Sequence, residues 1–320
     1  MSQRAEMAVE AVLPPRCDFA LQVPCPLSGS SQDPHRPKSR ERRIFGGSLT
    51  DIKTYPYIVS VQDLDGHLCA GTIVTESIIL TAAHCVDHPI SVVAGSSYVN
   101  SGGSWHNVTE SIVHEDFIPN TFDHDIALLK LDPAITINNK TTKKVQFFQC
   151  NDIEVKHGTK ATVVGWGMTR EYPSNGIAFG TSWESIKSIF DFNSGELLEQ
   201  LNQVGLEIIS KKECQRLLPK MNLKQQLCAY FPDKKHCEGD SGGPLMVDQR
   251  QVGIVSAGSS KCTNQRSVGI YTEVAAYHYW IHRGIRTLTK SQNLNLILRR
   301  TRIESSRFKC EEKRYVIDKI

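Results

Sequence analysis

Three short stretches of the 320-residue chain carry residue types that can do chemistry together. In Glu238-Gly239-Asp240-Ser241-Gly242-Gly243-Pro244 a serine sits between an aspartate and two glycines. Thr81-Ala82-Ala83-His84-Cys85 puts a histidine at the end of an apolar run, next to a cysteine. Asp123-His124-Asp125-Ile126-Ala127-Leu128-Leu129 puts an aspartate just before another. Taken singly, each has a bland explanation: a glycine turn, a structural histidine, a strand-start aspartate. Together they supply what acyl transfer needs. Ser241 is a nucleophile, His84 a base, and Asp125 a group that holds the base in one tautomer.

Short strands must position these groups. Apolar alternation between turn residues predicts strands at 57–62, 68–74, 78–82, 91–94, 111–114, 126–131, 159–164 and 206–209. Further strands are predicted at 226–230, 244–247, 251–256 and 269–274. Many short strands with irregular Gly/Asn/Asp/Pro turns argue for an all-β sandwich or barrel. Ile281, Ile285 and Leu288, at i, i+4 and i+7, make one apolar stripe and predict a closing helix.

Bulk properties bound the function. The formal net charge is +3, yet its basic excess lies in the flanks 1–43 and 289–320, and residues 44–288 carry four more acidic than basic groups. That core has no nucleic-acid footprint, and no apolar run is long enough to span a membrane. The ten cysteines form no CxxC pair, which argues against a zinc cage and for disulfides in an oxidising compartment. No acidic cluster reads as a calcium site, and neither metal nor cofactor is expected. Ala8–Leu13 is too short and too interrupted by charge for a clear signal peptide.

Residues 1–43 read as an unstructured leader ending in Arg40-Glu41-Arg42-Arg43, ahead of Ile44-Phe45-Gly46-Gly47. A dense basic run before an apolar residue and two glycines reads as a proteolytic cleavage site. Residues 289–320 read as a basic tail too short to bury a core. Asn107-Val108-Thr109 and Asn139-Lys140-Thr141 have the form of glycosylation acceptors.

The motifs TAAHC, DIALL and GDSGGP, in the order His, Asp, Ser, resemble those of chymotrypsin/trypsin-type serine proteases, and the likeness runs from Ile44 to about Leu288. The resemblance implies two antiparallel six-stranded β-barrels, the active site between them and a C-terminal α-helix. It implies Ser241 as nucleophile, His84 as general base and acid, and Asp125 as its orienting partner. The N–H groups of Gly239 and Ser241 would form the oxyanion hole. Ser256, Gly258 and Gly269 match positions that bind substrate backbone or keep the specificity pocket open. Cleavage after Arg43 would free the amine of Ile44 to pair with Asp240 and order the site. It further implies the disulfides Cys69–Cys85, Cys214–Cys228 and Cys237–Cys262. That leaves Cys17, Cys25, Cys150 and Cys310, with Cys17 or Cys25 the candidate partner of Cys150 as a leader tether.

Three departures stand out. Lys235 occupies the pocket-base position that is aspartate in trypsins, so preference for Arg or Lys is not expected. Either the ammonium selects an acidic side chain, or it turns to solvent or Asp233 and leaves an apolar pocket; the cost of burying it favours the second. Ala257 stands where the family usually has tryptophan. The segment 169–202 is longer than its family counterpart, with a capping-box pattern at Thr181–Glu184 and Trp183, Ile186 and Phe190 at helical spacing; it is a cleft-bordering loop or an insert without a role. The expectation is a secreted zymogen of a serine endopeptidase, monomeric, whose partners are peptide substrates, an activating protease and protein protease inhibitors. The rival is a catalytically silent homologue that binds partners in a cascade; its mark is loss of a triad residue, and all three are present.

Overall fold

A computed structural model describes residues 47–86, 90–150, 152, 154–167, 199–219, 221–230, 240–258 and 268–290. The first element among the described residues is a two-residue strand, β1 (Ser48–Leu49), that pairs far ahead with the second half of the molecule. Six strands then close into an antiparallel barrel. They are β2 (Ile58–Asp63), β3 (Gly66–Thr75), β4 (Ile78–Thr81), β5 (Ser91–Ala94), β6 (Ser104–Val113) and β7 (Ala127–Asp132). Their order is β2-β3-β4-β7-β6-β5, with β5 returning to β2 at Val59↔Ala94. Closure leaves the ladder without an open edge.

The linker carries β8 (Gln146–Phe147), which runs parallel to a strand of the next barrel. That barrel comprises β9 (Lys160–Gly165), β10 (Asn202–Ile209), β11 (Gln226–Tyr230), β12 (Pro244–Val247), β13 (Arg250–Gly258) and β14 (Val268–Glu273). Its order is β9-β10-β11-β14-β13-β12, and Leu245↔Val163 and Met246↔Thr162 close it. In β10 the period of two is clean: Val204, Leu206 and Ile208 point into the core while Gln203, Gly205 and Glu207 face outward.

The sequence locates most strands to within a residue or two. It finds only the second half of β10, neither of the two-residue strands β1 and β8, and only the end of β6, whose stretch Ser104–Thr109 is largely exposed and shows no apolar alternation. It also misses a helix, α1 (Lys211–Leu217). The signal was there: the Ser210 hydroxyl accepts from the Glu213 N–H at 3.1 Å, the Ser-x-x-Glu pattern of a helix start. The closing helix α2 (His278–Lys290) buries Trp280, Ile281, Gly284 and Leu288. It crosses back onto the first barrel, where a Cβ on Gly284 would stand 2.5 Å from Leu128 Cδ1. Glycine is required there for the close approach.

The barrels are joined by hydrogen bonds as well as by apolar packing. Thr72 Oγ1 on β3 donates to Gln251 Oε1 on β13 at 2.8 Å, and Ala70 N–H donates to the Ser241 carbonyl at 2.8 Å. Cys69–Cys85 and Cys214–Cys228 form as expected. Cys150 is also disulfide-bonded. The other four described cysteines pair among themselves, so its partner lies outside the described residues; Cys237 and Cys262 lie outside them too. Among the described residues no helix is long and apolar enough to cross a membrane.

Candidate active site

His84 sits in the single 3-10 turn Ala83–Cys85 that ends β4. Its neighbour Cys85 is tied to Cys69 on β3. The next residue along β3, Ala70, donates its N–H to the Ser241 carbonyl. One covalent bond and one hydrogen bond thus connect the turn of the base to the turn of the nucleophile.

Asp125 is fully buried, yet its carboxylate receives three hydrogen bonds. The His84 backbone N–H reaches Oδ1 at 3.0 Å, the His84 ring Nδ1 reaches Oδ2 at 2.7 Å, and the Ser256 hydroxyl reaches Oδ2 at 2.6 Å. Thr272 Oγ1 holds the Asp125 backbone carbonyl at 2.8 Å. A carboxylate only accepts, so Nδ1 carries a hydrogen and the lone pair is left on Nε2. That is the tautomer of a general base. The Phe122 ring meets the His84 imidazole edge-on, with centroids 5.4 Å apart.

The nucleophile turn explains its glycines. Gly242 has φ +76°, and a Cβ there would lie 2.2 Å from Thr81 Oγ1 and 2.5 Å from the Ala70 carbonyl. Its N–H donates to the Val255 carbonyl at 2.8 Å, and Val255 N–H returns to the Gly243 carbonyl at 2.9 Å. Ser241 is thereby clamped between a strand of each barrel. Among the triad residues, the hydrogen bonds bring His84 and Asp125 into direct contact and hold the Ser241 backbone beside their strands.

Asp240, one residue upstream, is 4% exposed. Its side chain takes one hydrogen bond, from Gly167 N–H to Oδ1 at 2.9 Å. Burial pushes its pKa up to about 6, against the smaller opposing effect of that hydrogen bond. Gly165 and Gly167 crowd it so closely that a Cβ on either would fall within 2.0 and 2.8 Å of its carboxylate oxygens.

On the substrate side, Gly258 pairs directly with Gly269 across β13 and β14. The hydroxyl of Tyr271 lies 2.5 Å from where a Gly269 Cβ would be, buried and without a hydrogen-bond partner among the described residues. Burial and the charge of Asp240 raise its pKa. The sequence reading passed over Tyr271, and passed over the Ser256 hydroxyl while singling out that residue as a backbone binder. Gly239, Lys235, Arg43 and Ile44 lie outside the described residues, as does nearly all of 169–202. Cys69, His84 and Cys85 bring potential ligand atoms within 4.8 Å of one another, but both sulfurs are consumed by the disulfide, so the group offers no metal cage.

The two closed barrels, the closing helix and the Asp–His couple beside a Gly-flanked serine define a class. The family model for trypsin matches residues 44–178 and 181–281, and the chain belongs to the chymotrypsin/trypsin family of serine endopeptidases. It is 33% identical to trypsin epsilon of Drosophila erecta over 269 residues, which is 82% of this chain and 94% of that protein. Hypodermin-A of Hypoderma lineatum is 34% identical over 240 residues, or 73% of this chain and 84% of its own length. Trypsin alpha-4 of Lucilia cuprina is 33% identical over 251 residues, 75% and 86% of the two chains.

Proposed function

We propose that the protein is a secreted zymogen that hydrolyses peptide bonds through Ser241, His84 and Asp125. Ser241 Oγ attacks the carbonyl carbon, and His84 Nε2 takes its proton and later gives it to the leaving amine. Asp125 stabilises the imidazolium formed in between. The N–H groups of Gly239 and Ser241 hold the oxyanion. The observation that carries this reading is the buried Asp125 carboxylate on His84 Nδ1 at 2.7 Å, which sets the tautomer a general base needs. Labelling of Ser241 by an organophosphonate, after cleavage at Arg43, tests it. An ordered, cleaved protein that takes no label would favour the silent binding homologue.

Activation rests on Asp240. In the intact chain the nitrogen of Ile44 is an amide, whereas cleavage after Arg43 makes it an amine whose positive charge offsets the cost of burying the Asp240 carboxylate. Arg43→Gln is expected to leave the fold intact and the enzyme inactive; full activity of the uncut variant would refute the switch. A trypsin-like protease or a dibasic-type convertase suits the Arg-Glu-Arg-Arg run. The leader 1–43 would stay attached through Cys150 if Cys17 or Cys25 is its partner, and its release by cleavage without reductant would argue against that pairing.

For specificity, Lys235 at the pocket base disfavours Arg and Lys before the cut bond. The pocket that Gly258 and Gly269 would keep open then takes Phe, Tyr or Leu, or Asp and Glu if the ammonium faces the substrate. A peptide library varying that residue decides among these, and preferred cleavage after Arg would overturn the reading. The disulfides support an oxidising, extracellular location. Protein substrates, an activating protease and protein protease inhibitors are the partners in this reading, and the enzyme acts as a monomer.

A further inference from the structure

His278 and His282 lie one turn apart on the same face of α2, their ring centroids 4.4 Å apart and their planes at 65°. The Phe147 ring of β8 sits at 6.4 and 6.0 Å from them. Eight histidines fall among the described residues. His67, His84, His106, His114, His124 and His157 each make a hydrogen bond through a ring nitrogen. Among the described residues His278 and His282 have none to a protein group, and His278 Nδ1 is buried without a partner. The structure thus leaves one buried imidazole nitrogen, His278 Nδ1, without a partner and a second imidazole beside it on the same helix face, an arrangement that calls for a ligand.

The state of the two rings narrows its chemistry. Burial, and then the neighbouring His282, hold His278 below the ordinary histidine range, against an opposing pull from Asp152. Burial and Arg286 do the same for His282. Neutral imidazoles do not attract an anion, but each offers a lone pair. Two of them at i and i+4 on a helix are a chelating pair for borderline divalent metals. Asp152 adds negative potential nearby while it stays bonded to Arg250 at 2.8 Å.

We propose that His278 and His282 bind one Zn2+ ion, or another borderline transition-metal dication, at a site separate from the catalytic centre. The metal would bridge two successive turns of α2 beside the Phe147 ring of β8. Searching the sequence for paired cysteines and acidic clusters could not find it, because the ligands are two histidines on a helix read only for its apolar stripe.

Zinc titrated calorimetrically into the metal-stripped full chain tests this, beside His278→Ala, His282→Ala and His84→Ala. Either α2 variant should weaken one zinc site by about tenfold or more, as loss of one arm of a chelate does, while His84→Ala keeps that site. Unchanged stoichiometry and affinity in both α2 variants would overturn the proposal. Should those variants misfold by circular dichroism, the wild-type chain still answers. Zinc should protect both rings from diethyl pyrocarbonate, read by peptide mass spectrometry, and equal modification with and without zinc would sink it.

Discussion

Each barrel contributes one buried aspartate beside the catalytic centre, and the two are treated in opposite ways. Asp125 receives three hydrogen bonds, two from His84 and one from Ser256, so its charge is accommodated in the intact chain. Asp240 receives one, and its pKa rises to about 6. A satisfied buried carboxylate is a fixed part of the machinery, whereas an undersatisfied one is a site where a cation arriving later changes the balance. The Asp125–His84 couple is therefore complete in the described structure, and under the proposed activation the Asp240 carboxylate is the group left to be paired.

This contrast can be broken from either side. The largest effect is expected from Asp125→Asn, which presents a donor where only an acceptor works and forces the wrong imidazole tautomer. kcat of the activated enzyme should fall about 10^4-fold, the size this change has in the Ser-His-Asp template, with little change in KM. Asp240→Asn should act on stability as well as on activation. Between about pH 4 and 6 the folded chain keeps a proton on Asp240 that the unfolded chain has released, so stability falls as pH rises through that window and is level above it. Removing the charge should flatten that slope in urea unfolding, while cleavage after Arg43 no longer raises activity.

Smaller changes sharpen the same comparison. Gly165→Ala drives a methyl to within 2.0 Å of Asp240 Oδ1 and should cost about 1–3 kcal/mol by thermal unfolding, with the triad chemistry otherwise intact. Ser256→Ala removes one of three donors from Asp125. It should lower kcat about tenfold, equivalent to about 1–2 kcal/mol, without a large loss of stability. An Asp125 as sensitive as Asp240 to loss of one neighbour would erase the distinction.

The Asp125–His84 couple and the Ser241 turn were legible because each motif is itself the local geometry. The glycines after Ser241 answer to the contacts at Gly242, and Cys85 after His84 answers to Cys69. The strands were legible where apolar residues dominate, as in β9, and not where the strand is largely exposed, as in the first half of β6. What stayed hidden depends on chain-distant pairing. Ser256 lies 131 residues from Asp125, and nothing local says that its hydroxyl turns towards a carboxylate in the other barrel. The unpartnered His278 nitrogen of α2 is hidden for the same reason, since burial and a missing partner become visible only once the helix is docked.

The bonds from Ser256 and Thr272 to Asp125 also set an order in time. The first barrel, with both His84 and Asp125, leaves the ribosome ahead of the second. At that stage it lacks the nucleophile and two of the groups that fix the aspartate. The hydrogen-bond shell of Asp125 is therefore completed only by the last strands of the chain, and a chain that stops before Ser256 lacks it.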